Sequence, residues 1–199
     1  MIIKIGGSVA KELDSLGSEI HNLSKCLIVP GGWIFADKVR VIDRMEPLNP
    51  SASHWMAILS MNIYGYYLAD ILDIELLEPS KLEDLKNLSG VKVVLPYIIL
   101  KKYDELPHTW DVTSDSISIW LASKVGETEV IKLTASGGII EDGQIVNSVK
   151  ASEVASDVID PYAPYLMQKY RINMFICGTQ ELKNYIRHKE ARGTLIKWR

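Results

Sequence analysis

Four short stretches of this 199-residue chain combine cations, carboxylates and bare backbone in ways suited to handling anions: KIGGS at 4–8, VPGG at 29–32, TSDS at 113–116 and VIKLTASGG at 130–138. In the first, Gly6 and Gly7 let the chain turn sharply and bring uncovered N–H groups close to an anion, and a following helix adds its positive end. Lys4 stands two residues earlier on an apolar run, either with its stem in the core and its ammonium at the strand end, or as an edge lysine reaching solvent. Gly31 and Gly32 repeat the device behind Pro30, or serve as an ordinary strand-to-helix connection. Asp111 and Asp115 flank a helix entry, where Ser114 at the N-cap and Asp115 in the first turn satisfy orphan N–H groups and complement the helix dipole. In the fourth stretch, small residues after the strand permit a flat ring to approach, and the chain then turns back in a hairpin at Asp142 and Gly143.

Other chemistries are excluded by what the chain lacks. Its net charge of -3 and absence of a basic run argue against a phosphate-tracking nucleic-acid surface; the locally basic RHKEARGTLIKWR reads as a solvated helix face and tail. No apolar run reaches the about 18 residues of a membrane span, and Met1 leads straight into the first apolar run, so a cytoplasmic protein without membrane contact is expected. Cys26 and Cys177 each border a strand-like run and read as core thiols, and the four histidines show no ligand spacing, so no protein-held metal is expected. Neither a G-x-x-x-x-G-K-[ST] loop, a G-x-G-x-x-G fingerprint nor a G-x-S-x-G elbow occurs.

The elements that must position these residues alternate. Strand patterns at 1–5, 26–30, 91–95, 129–134, 173–178 and 193–198 are separated by helical ones: Val9, Leu13, Leu16, Ile20 and Leu23 at helix spacing, then 33–42, a long helix over 51–72 with Ser53 as N-cap, the helix after Thr113, and 179–189. Such alternation predicts a largely parallel sheet with helices on both faces and ligands outside the carboxyl ends of the strands. With 47% hydrophobic residues and dispersed glycine and proline, one domain over 1–199 is expected.

Taken in order, the four stretches and the terminal GTLI resemble the amino acid kinase superfamily, which includes acetylglutamate, aspartate, glutamate, uridylate and isopentenyl phosphate kinases. The resemblance implies a three-layer αβα sandwich and phosphoryl transfer from ATP with Mg2+. It implies that Lys4 neutralises the phosphoryl group in flight, that Asp115 orients lysine ammonium groups, and that Gly6, Gly7 and Ser8 hold ATP phosphates. Thr134, Ser136 and Gly137 fall on the nucleotide side, and Gly31 and Gly32 on the acceptor side. Two features depart from the family: Ala135–Gly138 replaces an Asp-x-Asp-Gly turn, and the second lysine, assigned to Lys150, lacks its Gly-Gly-Met segment. VPGGWIFADKVR, HWMAILSM and HTWDVTSDS are most similar to the archaeal aminomethylfuran phosphate kinases of methanofuran biosynthesis. A small-molecule phosphate acceptor converted to its diphosphate is therefore expected, with His54 and Asp111 watched for acceptor specificity. The alternatives are a kinase of a carboxylate or another phosphate monoester, and a noncatalytic anion-binding or storage protein. The family also implies a homo-oligomer.

Overall fold

The computed structural model describes residues 1–199, apart from the side chains of Ser15 and Ser18. The strands are β1 (Ile2–Ile5), β2 (Lys25–Pro30), β3 (Leu76–Leu77), β4 (Gly90–Val94), β5 (Glu129–Leu133), β6 (Ile140–Glu141), β7 (Gln144–Ile145), β8 (Ser148–Lys150), β9 (Asn173–Cys177) and β10 (Gly193–Lys197). The helices are α1 (Gly17–His21), α2 (Trp33–Met45), α3 (Pro50–Leu72), α4 (Leu82–Lys86), α5 (Tyr97–Tyr103), α6 (Ser114–Val125), α7 (Ala163–Tyr170) and α8 (Leu182–His188). Eight strands form one sheet in the order β3-β4-β2-β1-β5-β9-β10-β8, and β6 pairs with β7 as a separate hairpin. The sheet is parallel from β3 to β9; β10 runs against β9, and β8 follows β10.

Side-chain alternation explains the two cores. Ile2 and Val130 point into a layer with α5, α6 and α7, whereas Ile3, Ile5, Ile131 and Leu133 point into a layer with α1 and α8. Parallel strands covered on both faces read as continuous apolar runs, which is why 2–5 and 130–133 carry so few polar residues. The lysines that interrupt them, Lys4 and Lys132, are paired in register across β1 and β5 and share the α6 face. Cys26 and Cys177 are both buried, and burial pushes each thiol up to about 12.

Two helix expectations are corrected. The Val9–Leu23 periodicity does not make one helix: the chain forms short 3-10 turns and then the five-residue α1, although Val9, Leu13, Leu16 and Ile20 are all buried. Helix α3 is capped not by Ser53 but by Asn49, whose side chain accepts from Ser51 N at 2.9 Å, with Pro50 at the first helical position. Ser53 lies inside the helix and donates its hydroxyl to Pro50 O at 3.2 Å.

α3 crosses the carboxyl ends of the strands. Ile58 and Met61 join the first core, while Tyr64, Leu68 and Leu72 join the second. Gly65 marks the crossing: a Cβ there would lie 2.8 Å from Leu95 Cδ2 and 3.4 Å from Pro30 Cγ. Tyr64 is core, whereas Tyr66 and Tyr67 are exposed. Among the described residues no helix is long and apolar enough to cross a membrane.

The two glycine turns touch. Gly31 N donates to Ile5 O at 2.9 Å, and a Cβ on Gly31 would sit 3.5 Å from both Gly6 Cα and Gly7 N. Next to them Trp33 holds φ at +46°, a conformation that bulky residues avoid. Its ring lies 5.1 Å from that of Tyr64 and 5.0 Å from that of Tyr67. A Cβ on Gly7 would approach Trp33 Cα to 2.7 Å. Gly7→Ala is therefore expected to destabilise the protein by ~1–3 kcal/mol through overpacking, measured as a lower urea midpoint at unchanged slope; an unchanged midpoint refutes this packing.

Candidate active site

At the carboxyl end of the sheet, β1, β5 and α6 bring Lys4, Lys132 and Asp115 together with exposures of only 6%, 5% and 3%. Asp115 Oδ2 accepts from Lys132 Nζ at 2.6 Å and from Asp160 N at 3.2 Å. Its Oδ1 faces Lys4 Nζ at 3.0 Å as an ion pair, with no aligned hydrogen bond to that oxygen. Lys132 also donates to the Val158 carbonyl. Burial disfavours the Asp115 anion, but Lys132 and Lys4 outweigh it and hold the carboxyl down at about 2. Burial lowers Lys132 to about 8; Asp115 opposes the shift and the Lys4 charge adds to it.

The expected nucleotide-side residues form one rim beside this cluster. Gly6 N donates to Leu133 O at 3.2 Å, Ala135 N donates to Ser8 Oγ at 3.2 Å, and Ser8 Oγ lies 3.3 Å from Thr134 Oγ1. Ser136 Oγ donates to Gly138 O at 3.0 Å, and Gly137 adopts φ +70°. The turn thus keeps its shape through glycine and a serine bond without the family's aspartates.

Two adjoining cavities lie beside the cluster, and Asp115 and Lys132 line the second of them. One, of about 510 Å³, runs from Gly7, Ser8 and Gly32 past Trp33 and Trp110 to His54. The other, of about 650 Å³, is lined by Lys132, Asp115 and the 154–161 segment, and shares Arg40, Trp110 and Thr113 with the first. Gly31 is buried beneath the first cavity against Gly6.

No family model matches the chain. In fold it is similar to uridylate kinase from Archaeoglobus fulgidus (TM-score 0.73, 15% identity, 98% of this chain and 99% of that one). It is likewise similar to UMP kinase from Ureaplasma parvum (0.74, 15%, 98% and 97%). Aspartate kinase from Synechocystis shares the fold over 98% of this chain and 39% of its own (0.70, 14%). In sequence the chain is 31% identical to (5-(aminomethyl)furan-3-yl)methyl phosphate kinase of Methanocaldococcus jannaschii, covering 88% of this chain and 86% of that protein. The chain belongs to the amino acid kinase superfamily. It is an ATP-dependent phosphotransferase, and its mostly parallel sheet is the sheet of that fold.

Within this kinase, Lys150 does not join the site. It lies on edge strand β8, exposed, 3.5 Å from Glu153, and paired in register with Lys197. Strand β8 is four strands from β1, roughly 19 Å at ordinary strand spacing. It also runs in the opposite direction, which places Lys150 toward the far end of the sheet. The second cation at Asp115 is Lys132. A signal for it existed in the sequence: IIKI and VIKL carry a lysine at the same place in two apolar strands, and parallel pairing in register makes those lysines neighbours.

His54 and Asp111 are also placed differently from expectation. His54 lies beyond the first turn of α3, 7% exposed, and lines the first cavity. Its ring stacks on His108 at 4.2 Å, and burial, then the His108 charge, lowers it to about 4. It is thus neutral at neutral pH, with one N–H to donate. His108 is fixed between Ser51 Oγ at 2.7 Å and Asp104 Oδ1 at 2.8 Å. Asp111 is exposed and lines neither cavity; its carbonyl accepts from Tyr162 N at 3.2 Å. Nor is Ser114 the cap of α6: Thr113 holds the N-cap position, and Asp160 accepts its N–H from outside the helix.

Loss of a transition-state cation costs at least ~100-fold in rate. Lys132→Met is expected to lower kcat by that much, with Lys150→Met staying within about twofold, a contrast read by steady-state kinetics on folded protein. If the charged Lys132 ammonium is needed, wild-type kcat should fall as pH rises above about 8; equal losses in the two variants would count against Lys132 as the second lysine.

Proposed function

We propose that this kinase transfers the γ-phosphoryl group of ATP to a phosphate monoester carrying an ammonium group on a small aromatic ring, a (5-(aminomethyl)furan-3-yl)methyl phosphate, giving the diphosphate for methanofuran biosynthesis. The observation that carries this reading is the buried Lys4–Asp115–Lys132 cluster beside the glycine turn at Gly6, next to a cleft whose histidine is a weak base. An acceptor phosphate oxygen attacks the γ-phosphorus, the bond from that phosphorus to the β–γ bridging oxygen breaks, and ADP leaves with the electron pair. The acceptor's second pKa is near about 6, so its oxygen is already ionised at neutral pH. An alcohol would need a general base with a pKa near the working pH, and His54 at about 4 is a poor one. Charge on the phosphoryl oxygens is met by Lys4, Lys132 and the Gly6–Ser8 backbone. In this reading Lys4 and Gly6–Ser8 meet the ATP phosphates, Thr134, Ser136 and Gly137 lie on the nucleotide side, and Gly31 and Gly32 lie on the acceptor side.

Magnesium delivered with ATP fits the donor set. Among the described residues no group of three or more His, Cys, Asp or Glu side chains is placed to cage a metal. Both Asp115 oxygens face lysines, so the ion would be held mainly by phosphate oxygens and water.

On the acceptor side, Trp33, Trp110 and His54 supply flat walls, and Asp37 is the sole carboxylate among the residues lining that cavity. Asp37 thus replaces Asp111 as the partner of the acceptor's ammonium; its present partner is Arg40 at 3.5 Å. The Asp37 side chain is 71% exposed, and an exposed ion pair contributes about 0.2–1 kcal/mol. Asp37→Asn is expected to raise the acceptor KM roughly two- to fivefold, with the ATP KM unchanged, and to reduce the preference for the aminomethyl compound over its methyl analogue. Phosphorus NMR of ATP, magnesium and a panel of acceptors tests the whole reading. A diphosphate supports it, an acyl phosphate from a carboxylate transfers the assignment to carboxyl chemistry, and no product from any phosphate monoester refutes it.

Two copies of the chain are also proposed to pair through α2 and α3. Exposed Leu59, Ile63, Tyr66 and Ile71 form a stripe along α3 beside exposed Val41, Ile42 and Met45 on α2. A helix apolar all round is ordinarily covered. Light scattering should give twice the mass of one chain, and Ile63→Asp one chain mass; a wild-type monomer at micromolar concentration excludes the pairing.

A further inference from the structure

Asp160 closes the 154–160 segment that walls the about 650 Å³ cavity. It is 7% exposed, yet its carboxylate accepts five hydrogen bonds. Oδ2 receives Thr113 N, Thr113 Oγ1 and Ser116 N, each at 2.9 Å. Oδ1 receives Ser116 Oγ at 2.6 Å and Ala163 N at 2.8 Å. One side chain thereby joins the start of α6 to the start of α7. A helix cap alone needs one or two N–H partners; this carboxylate adds both hydroxyls and a second helix.

The same short segment turns its backbone onto the lysine–aspartate cluster. Asp160 N donates to Asp115 Oδ2 at 3.2 Å, and Val158 O, two residues earlier, accepts from Lys132 Nζ. An ammonium has three N–H groups on a freely rotating stem. Lys132 commits one to Asp115 and one to Val158, which leaves the third available to a group in the cavity it lines. Without the Val158 carbonyl the ammonium would rotate about a single remaining bond, and small misplacements of a reacting group are costly in rate.

We infer that Asp160 is a positioning residue: by clamping the 154–160 segment onto the entry of α6, its carboxylate aims the Lys132 ammonium at the phosphoryl group. The inference rests on Lys4, Asp115 and Lys132 being the transfer centre. Lys132 is faced by Lys4 from β1, Asp115 from α6 and Asp160 from the segment, and Asp157 and Arg40 line the same cavity. Of these, Asp115 and Asp160 favour the charged ammonium and Lys4 opposes it.

Asp160→Asn keeps the shape but places an amide NH2 against N–H donors and removes the charge. The expected result is kcat about tenfold lower, KM for ATP and acceptor within about twofold, and the alkaline fall in kcat moved to lower pH, with the far-UV circular dichroism of the wild type. A raised KM with kcat preserved, or an alkaline limb left at the wild-type pH, overturns the inference. Should Asp160→Asn not fold, Ser116→Ala carries the test: it deletes one hydroxyl donor and keeps the charge. It should lower kcat a few-fold at unchanged KM, and wild-type kcat in that variant is the overturning result. Wild-type turnover in Lys132→Met would instead sink the assignment of the transfer centre and leave Asp160 a structural clamp.

Discussion

Two ammonium groups held in the interior around one carboxylate set the terms for everything else in this protein. Removing each charge from water costs several kcal/mol, and only close opposite charge and hydrogen bonds offset that. Asp115 meets the requirement by facing Lys4 with one oxygen and Lys132 with the other. The two lysines share that carboxylate, the buried Asp160 adds a second negative charge near Lys132, and Lys132 is the cation that lines the second cavity, where a phosphoryl group would meet it. Burial and the charge of Lys4 both act against the charged form of Lys132.

The surrounding architecture follows from keeping that cluster dry on one side and reachable on the other. Parallel pairing of β1 and β5 sets the lysines side by side, and α6 enters above them with Asp115 in its first turn. The glycine turns then bring two loops within van der Waals distance, so the two loops share a boundary made largely of backbone. Trp33, held at positive φ against Tyr64 and Tyr67, fills the space that the missing glycine side chains leave. Helix α3 crosses the strand ends at Gly65 and walls the first cavity, while its outer face keeps an apolar stripe.

The neutral His54 and the acidic Asp115 show how the fold divides labour among ionisable groups. Both are buried, but His54 is stacked on His108 with no opposite charge in contact, whereas Asp115 has two cations. Burial therefore discharges one and leaves the other ionised. A cleft with a weak base and strong cations suits acceptors that arrive already ionised.

The sequence by itself determined the features that depend on neighbouring residues. Alternating apolar runs and helical periods set the layered sheet, and Lys4 with Gly6 and Gly7, Gly31 with Gly32, and Asp115 at a helix entry were legible because strand, turn and helix start lie within a few residues of one another. What depends on which distant strands become neighbours was decided only by the tertiary structure. Lys132 joined Lys4 because β5 pairs with β1 in register, and Lys150 was left aside because β8 lies at the edge and runs the other way. Asp160 reached α6 from 44 residues away, and Asp37 came to line the cleft from α2 while Asp111, in the turn before α6, was left exposed outside it. Local patterns follow from backbone sterics and side-chain periodicity, but register, strand order and burial are properties of the packed whole, and they also decided which of these groups carry charge.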